Sequence, residues 1–220
     1  MTRQRAESAW IKICGMTTPE AVDAALAAGV DALGFVFSPS PRQLTPRAAV
    51  RLAAPARGRV LCVAVTRHPD QALLDEIAAA FAPDLWQSDW EDFATLRAPS
   101  VARLPVLRSG AGGEAPRRPS PLPARLLFEG PRSGAGEACD WASARELARR
   151  TELILAGGLD AESVGAAIAA VEPFGVDVSS GVEAHPGIKS AEKIARFVEA
   201  ARAAFGARDG ARSFNEENVL

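Results

Sequence analysis

The sequence predicts a closed (β/α)₈ barrel, on three observations. Eight short apolar segments alternate with amphipathic, helix-forming stretches, the pattern of a parallel sheet wrapped by helices. The alternation fills most of a 220-residue chain, the size of a minimal barrel. Two late strands, ending in Ala156-Gly157-Gly158-Leu159 and in Val176 to Glu183, break into small residues whose backbone N–H groups can grip a phosphate.

The expected strands are Trp10 to Cys14, Ala32 to Phe37, Val60 to Val65, Leu85 to Gln87, Leu104 to Arg108, Leu126 to Glu129, Leu153 to Ala156 and Gly175 to Ser179. Between the first two, Thr17-Thr18-Pro19-Glu20 reads as a capping box with proline in the first turn, and Gly29 as the stop. Thr45-Pro46 and His68-Pro69 repeat the helix-opening signal. Val164, Ala167, Ile168 and Val171 form one apolar stripe, and Ile194, Phe197, Val198 and Ala201 another. From Ser109 to Pro123 the chain is too rich in glycine and proline for a helix, so the fifth helix is expected to be missing or degenerate. An open doubly wound sheet would need a glycine-rich turn after its first strand, and Cys14-Gly15-Met16-Thr17 has one glycine. The expected organisation is an N-terminal extension over residues 1–9, a barrel domain over 10–205 and a flexible tail over 206–220.

Composition narrows the function classes. Twenty-five basic against 27 acidic side chains leave a net charge of −2, which attracts neither nucleic acid nor an anionic membrane. No apolar run reaches the ~18 residues of a membrane span, and Met1 to Ser8 lacks the core of a signal peptide, so a cytoplasmic protein is expected. Cys14, Cys62 and Cys139 are too widely spaced for a zinc site or a disulfide frame, so neither metal nor disulfide is expected. Monomer and homodimer both remain open, since no exposed apolar stripe stands out.

Strand parity selects the candidate site. Outward Ile11 and Ile13 leave Lys12 and Cys14 inside, with Cys14 at the C-terminal end where barrel active sites form. A buried Lys12 needs a partner, and Asp177, on the strand that closes the ring, is the candidate. Cys14 is either a small buried hydrophobe or a thiol ionised with the help of that cation. Glu129 closes the sixth strand, either as a solvated loop residue or as a carboxyl facing Cys14 across a ligand. An acid and a base so opposed suit a proton-transfer isomerisation. Arg42 follows the second strand in a proline-stiffened loop, where a guanidinium can be solvated or can clamp a carboxylate. Gly157, Gly158, Ser179, Ser180 and Gly181 are the candidate phosphate donors; the alternative is that such residues only permit tight turns. The expected ligand is a small phosphorylated molecule.

Taken together, Lys12 to Thr17, Ala32 to Phe37 with Ser38 to Arg42, Ala156 to Leu159, and Val176 to Glu183 followed by Pro186-Gly187 resemble the phosphoribosylanthranilate isomerases of tryptophan biosynthesis, in order and spacing, from about residue 10 to 204. The resemblance implies a cofactor-free Amadori rearrangement, with Cys14 at the position of the family's base. The family's acid, an aspartate closing strand six, falls on Glu129. It also implies that Arg42 holds the anthranilate carboxylate or developing charge, and that Asp177 orients the substrate or neutralises Lys12. Where the family commonly carries Gln-Leu-His-Gly, this chain has Gln87-Ser88-Asp89-Trp90, so Asp89 receives no role. Trp90 is either a stacking platform for the anthranilate ring or a hydrophobic staple. Two alternatives stand beside this reading. One is a barrel that binds a phosphorylated metabolite without turnover. The other is a phosphoribosyl isomerase of histidine biosynthesis, whose two aspartates would fall where Cys14 and Arg108 stand.

Overall fold

The computed structural model describes residues 9–97, 101–110, 119–131 and 139–217, with side chains as far as residue 210. Eight parallel strands close in chain order: β1 (Trp10–Cys14), β2 (Ala32–Val36), β3 (Leu61–Val65), β4 (Leu85–Asp89), β5 (Ala102–Arg108), β6 (Arg125–Glu129), β7 (Glu152–Leu155) and β8 (Gly175–Val178). β8 returns to β1 with Asp177 opposite Lys12 and Val178 opposite Ile13. All eight expected strands are present, their ends differing by one or two residues.

Burial on both faces explains why these strands read as nearly continuous apolar runs. Trp10, Ala32, Val63, Leu104, Val106, Leu127, Ile154 and Ala156 fill the interior of the ring. Ile11, Ile13, Leu33, Phe35, Cys62, Leu126, Phe128 and Val176 face the helices in a separate, larger core. With a period of two, the inward set continues to Cys14 on β1, Gln87 and Asp89 on β4, Arg108 on β5, Glu129 on β6 and Asp177 on β8. One parity rule thus packs the barrel and aims its polar residues at the C-terminal mouth.

α1 (Pro19–Ala28) is capped by Thr18, whose side chain accepts from the N–H of Ala21. Thr17 is therefore not the cap; its hydroxyl donates to the carbonyl of Gly187, 2.5 Å away, tying the β1–α1 loop to the far end of the chain. α2 (Pro46–Ala53) starts at Thr45 as expected. The signal at His68-Pro69 is misplaced by two residues. His68 has left-handed backbone (φ 48°), and α3 (Gln71–Glu76) begins at Asp70, whose carboxylate accepts from the N–H of Leu73. A single turn, α4 (Asp92–Thr95), follows β4. Between β5 and β6 the described residues contain no helix, and residues 111–118 of the expected gap lie outside the described chain.

α5 (Trp141–Ala148) follows β6, and α6 (Val164–Val171) buries the four residues of its stripe. After β8 come a 3₁₀ turn (Ser180–Val182) and a short antiparallel pair, β9 (Glu183–His185) and β10 (Ile188–Lys189). α7 (Ala191–Glu217) buries Ile194, Phe197, Val198, Ala201 and Phe205. The segment from Gly206, expected to be a loose tail, is helical through Glu217. A Cβ at Gly206 or Gly210 would meet nothing within 4 Å, so both lie on an open face. Each costs the helix only about 1 kcal/mol relative to alanine. Arg208 holds this extension by donating to the carbonyl of Pro173, 2.7 Å away.

Candidate active site

One cavity opens at the C-terminal ends of the strands. Its lining includes Cys14, Arg42, Gln87, Arg108, Glu129, Asp177 and Ser179. Five of the residues selected from sequence are thus brought together: the thiol, Glu129, Arg42, Asp177 and Ser179.

On the β8–β1–β2 side, the Lys12 ammonium donates to Asp177 Oδ1 at 2.8 Å, with the lysine fully buried. Burial disfavours its charge, but Asp177 and then Cys14 outweigh that, and the pKa of Lys12 stands above its ordinary value. Cys14 behaves differently from the expectation of an activated thiol. Burial pushes its pKa up, and Lys12 only partly offsets this, so the resting group is a neutral thiol. Gly34 on β2 fixes its place, since a Cβ there would lie 2.9 Å from Cys14 Sγ and 3.2 Å from Lys12 Cε.

Arg42 is less available than its loop position suggests. Its Nε and Nη2 donate to the two carboxylate oxygens of Glu183 at 2.6 and 2.8 Å. Lys189 donates to the same carboxylate at 2.8 Å and to the Ser179 carbonyl at 3.0 Å. Burial opposes the charge on Glu183, yet the bonds from Arg42 and Lys189 hold its carboxyl below the usual range. Lys189 carries no periodicity or motif signal and was not foreseen.

The opposite side centres on Arg108, noted from sequence only as the end of its strand. Its Nη1 donates to Glu129 Oε1 and its Nη2 to Asp89 Oδ1, both at 2.5 Å. Burial opposes the arginine's charge, and the two carboxylates more than compensate. Asp89 also meets His68 Nε2 at 3.2 Å. Asp89 is thus an anchor for Arg108. Trp90 packs against the outer core and is not among the residues lining this cavity; it lines a neighbouring one with His68, Asp89 and Arg108.

Of the expected phosphate loops, Ser179 lines the cavity, while Gly157, Gly158, Ser180 and Gly181 are not among its lining residues. Gly157 and Gly158 have φ of 93° and 66°, a conformation glycine adopts freely. A Cβ on Gly181 would lie 2.0 Å from the carbonyl oxygen of Leu159, so the β7–α6 and β8 loops touch there.

The fold and cavity define a (β/α)₈-barrel protein with its polar groups at the C-terminal mouth, the face on which enzymes of this architecture work. The chain belongs to the N-(5′-phosphoribosyl)anthranilate isomerase family, whose model matches residues 11–200. It is 40% identical over 210 residues to the N-(5′-phosphoribosyl)anthranilate isomerase of Azorhizobium caulinodans, covering 88% of this chain and 92% of that one. Among solved structures, TrpF from Jonesia denitrificans matches with a TM-score of 0.69 at 38% identity, over 90% of this chain and 98% of that one. A phosphoribosyl anthranilate isomerase in complex with reduced 1-(o-carboxyphenylamino)-1-deoxyribulose 5-phosphate matches with a TM-score of 0.74 at 27% identity, over 89% and 100%.

Proposed function

We propose that this chain catalyses the cofactor-free Amadori rearrangement of N-(5′-phosphoribosyl)anthranilate to 1-(2-carboxyphenylamino)-1-deoxyribulose 5-phosphate in tryptophan biosynthesis, with Glu129 as general acid and Cys14 as general base. The observation that carries the assignment of roles is the placement of both groups in one cavity at the barrel mouth, on strands three steps apart around the ring. Glu129 gives its proton to the furanose ring oxygen as the C1′–O bond breaks, leaving a protonated Schiff base. The Cys14 thiolate then removes the C2′ proton, and the electron pair moves toward nitrogen to give an enolamine. That species takes a proton at C1′ and loses one from the C2′ hydroxyl, so C1′ is reduced and C2′ oxidised within one molecule. The balance closes without an external oxidant.

The family's acid is an aspartate, and Glu129 here is one methylene longer. Its tether to Arg108 sets where the longer side chain ends. Asp177 holds Lys12, and this pair fixes the floor beneath Cys14. The backbone N–H groups of Gly157, Gly158, Ser179, Ser180 and Gly181 take the substrate phosphate. No described helix is long and apolar enough to cross a membrane, which is compatible with a cytoplasmic enzyme. The protein acts as a monomer or a homodimer, which sedimentation distinguishes.

The test mixes purified protein with freshly generated phosphoribosylanthranilate and follows the loss of its anthranilate-type fluorescence. Wild type accelerates the loss, and Cys14→Ala and Glu129→Gln abolish it. Wild-type turnover in both variants would show the acid–base assignment to be wrong. Binding without acceleration by wild type would point to a barrel that holds the metabolite and does not convert it.

A further inference from the structure

The Lys189 side chain is fully buried and is not among the residues lining the cavity. Burial disfavours its ammonium and lowers its pKa, which Glu183 opposes. The surroundings suit the charged form. Nζ has three protons to donate and meets three acceptors: the carbonyl of Ser179 at 3.0 Å, its hydroxyl oxygen at 3.3 Å and Glu183 Oε1 at 2.8 Å. The Ser179 hydroxyl gives its own proton to the Cys14 carbonyl, 3.0 Å away. Apolar side chains often fill such a buried place with no loss of stability, so the charge itself calls for a reason.

Two arms run from Lys189 to the mouth. On the first, the Ser179 carbonyl belongs to the peptide whose N–H is that of Ser180. In a trans peptide the N–H points opposite to the C=O, so fixing this carbonyl on Lys189 fixes the direction of a donor proposed for the phosphate. On the second, Glu183, the cross-strand partner of Lys189 in the β9–β10 pair, takes Nε and Nη2 of Arg42 and leaves Nη1 unused. Arg42 lines the cavity, and its loop is seated on the same hairpin, since a Cβ on Gly187 would lie 2.6 Å from the Pro41 carbonyl oxygen. Two cations share one carboxylate here, so the cluster carries one positive charge in excess, which a substrate carboxylate at Arg42 would balance.

We propose that Lys189 is a positioning residue for the two anionic ends of the substrate: through Ser179 it sets the loop that takes the phosphate, and through Glu183 it sets the guanidinium of Arg42 that takes the aromatic carboxylate. This rests on the isomerase reading above. One buried ammonium fixes the span between two subsites carried on different loops, and a ligand with both anions at that span gains from both.

The probes are the reaction product reduced at its ketone, the same compound built from aniline, which lacks the carboxylate, and the dephosphorylated compound. Each is titrated into the full chain by calorimetry. Lys189→Met leaves Glu183 paired with Arg42, so no lone carboxylate is stranded. It should weaken the carboxylate-free and the phosphate-free ligand about tenfold each, and the complete ligand about 100-fold. In turnover it should raise KM while kcat stays within about threefold of wild type, the split of a residue that acts on binding. Arg42→Lys provides the contrast and should weaken only the two ligands that carry the carboxylate. If Lys189→Met does not fold, Lys189→Gln, which keeps a polar donor, is read in the same way with shifts of about threefold. Unchanged affinities, a loss confined to one of the two truncated ligands, or a fall in kcat at constant KM would overturn the inference while the isomerase reading stands. If wild type binds none of the three ligands, the isomerase reading and the inference fall together.

Discussion

The two walls of the cavity hold their charges differently. On the β8–β1–β2 side, Lys12 is paired with Asp177, and Glu183 is shared by Arg42 and Lys189. The gap beside the thiol is closed by the bare backbone of Gly34. On the β4–β5–β6 side, Arg108 spans two carboxylates, and among the described residues its Nε and the Gln87 Oε1 have no partner. The first wall is internally satisfied and rigid, suited to holding a reactive group still. The second leaves two buried polar atoms unsatisfied among the described residues. Buried ionic groups are costly when unpaired, so the two walls should fail in different ways when cut.

The sharpest break is at Cys14. If the first wall exists to place this thiol, Cys14→Ser should leave the melting temperature near wild type and lower kcat by about 10²- to 10⁴-fold, the contribution of a positioned base. Because burial raises the thiol's pKa, the reactive thiolate is a minor form near pH 7 and grows as pH rises toward the folded pKa. In a Cys62→Ala/Cys139→Ala background, alkylation by iodoacetamide, which reads the thiolate alone, should therefore climb between about pH 7 and 9 without a plateau, a free thiol titrating near 8.5. A plateau inside that interval would show that burial does not hold the Cys14 thiol up.

Lys12 tests whether the first wall is structural. Lys12→Met leaves Asp177 buried without its cation, and removing one partner of a buried pair costs about 3–5 kcal/mol. For a chain of this size that corresponds to a fall in Tm of roughly 10 °C. Adding Asp177→Leu should recover most of that stability, since the uncompensated charge is gone. A single variant as stable as wild type, measured by calorimetry, would mean the pair contributes nothing to the floor.

Glu129→Asp tests the second wall. The shorter side chain draws the carboxyl back by about one bond length and away from Arg108 Nη1. A displacement near 1 Å costs about 10²-fold in rate unless the pocket adjusts. Equal turnover by the aspartate variant would show that the arginine tether does not set the acid's position.

The same contrast explains what could be read from sequence. Of the first wall, the Lys12–Asp177 pair was legible: a lysine inside an apolar strand demands a partner, and parity with barrel closure names Asp177, whereas Lys189 and its bond to Glu183 gave no pattern to read. The second wall was only half legible. Glu129 followed from parity, but Arg108 was noticed as a strand end and Gln87 only within a motif, because what matters about each is an unpaired atom, visible only in three dimensions. Asp89 was left without a role because it stands where the family carries another residue, and its function depends on Arg108 on the neighbouring strand. Helix ends were missed where a competing interaction won. His68-Pro69 looked like a start, yet the histidine ring is drawn to Asp89 and Asp92, and Asp70 caps the helix instead. At the other end, sparse apolar residues without a period suggested a loose tail from Gly206, and packing of Phe205 together with the Arg208 bond to Pro173 carries α7 past it.

Gly34→Ala gives the smallest and most local cut. A methyl group there would meet Cys14 Sγ at 2.9 Å, the Cys14 Cα at 3.1 Å and Lys12 Cε at 3.2 Å. The backbone atom cannot yield without bending β1, and Lys12 is held by Asp177, so the thiol is the group that moves. Overpacking of this kind costs about 1–3 kcal/mol of stability. A thiol displaced by a few tenths of an ångström should lose about tenfold in kcat, less than the full 1 Å case, with little change in KM because a methyl group at Gly34 meets Cys14 and Lys12 first and not the phosphate loop after β8. If KM rose instead and kcat held, the strain would be reaching the phosphate loop after β8 and not the thiol, and Gly34 would not be what fixes the place of Cys14.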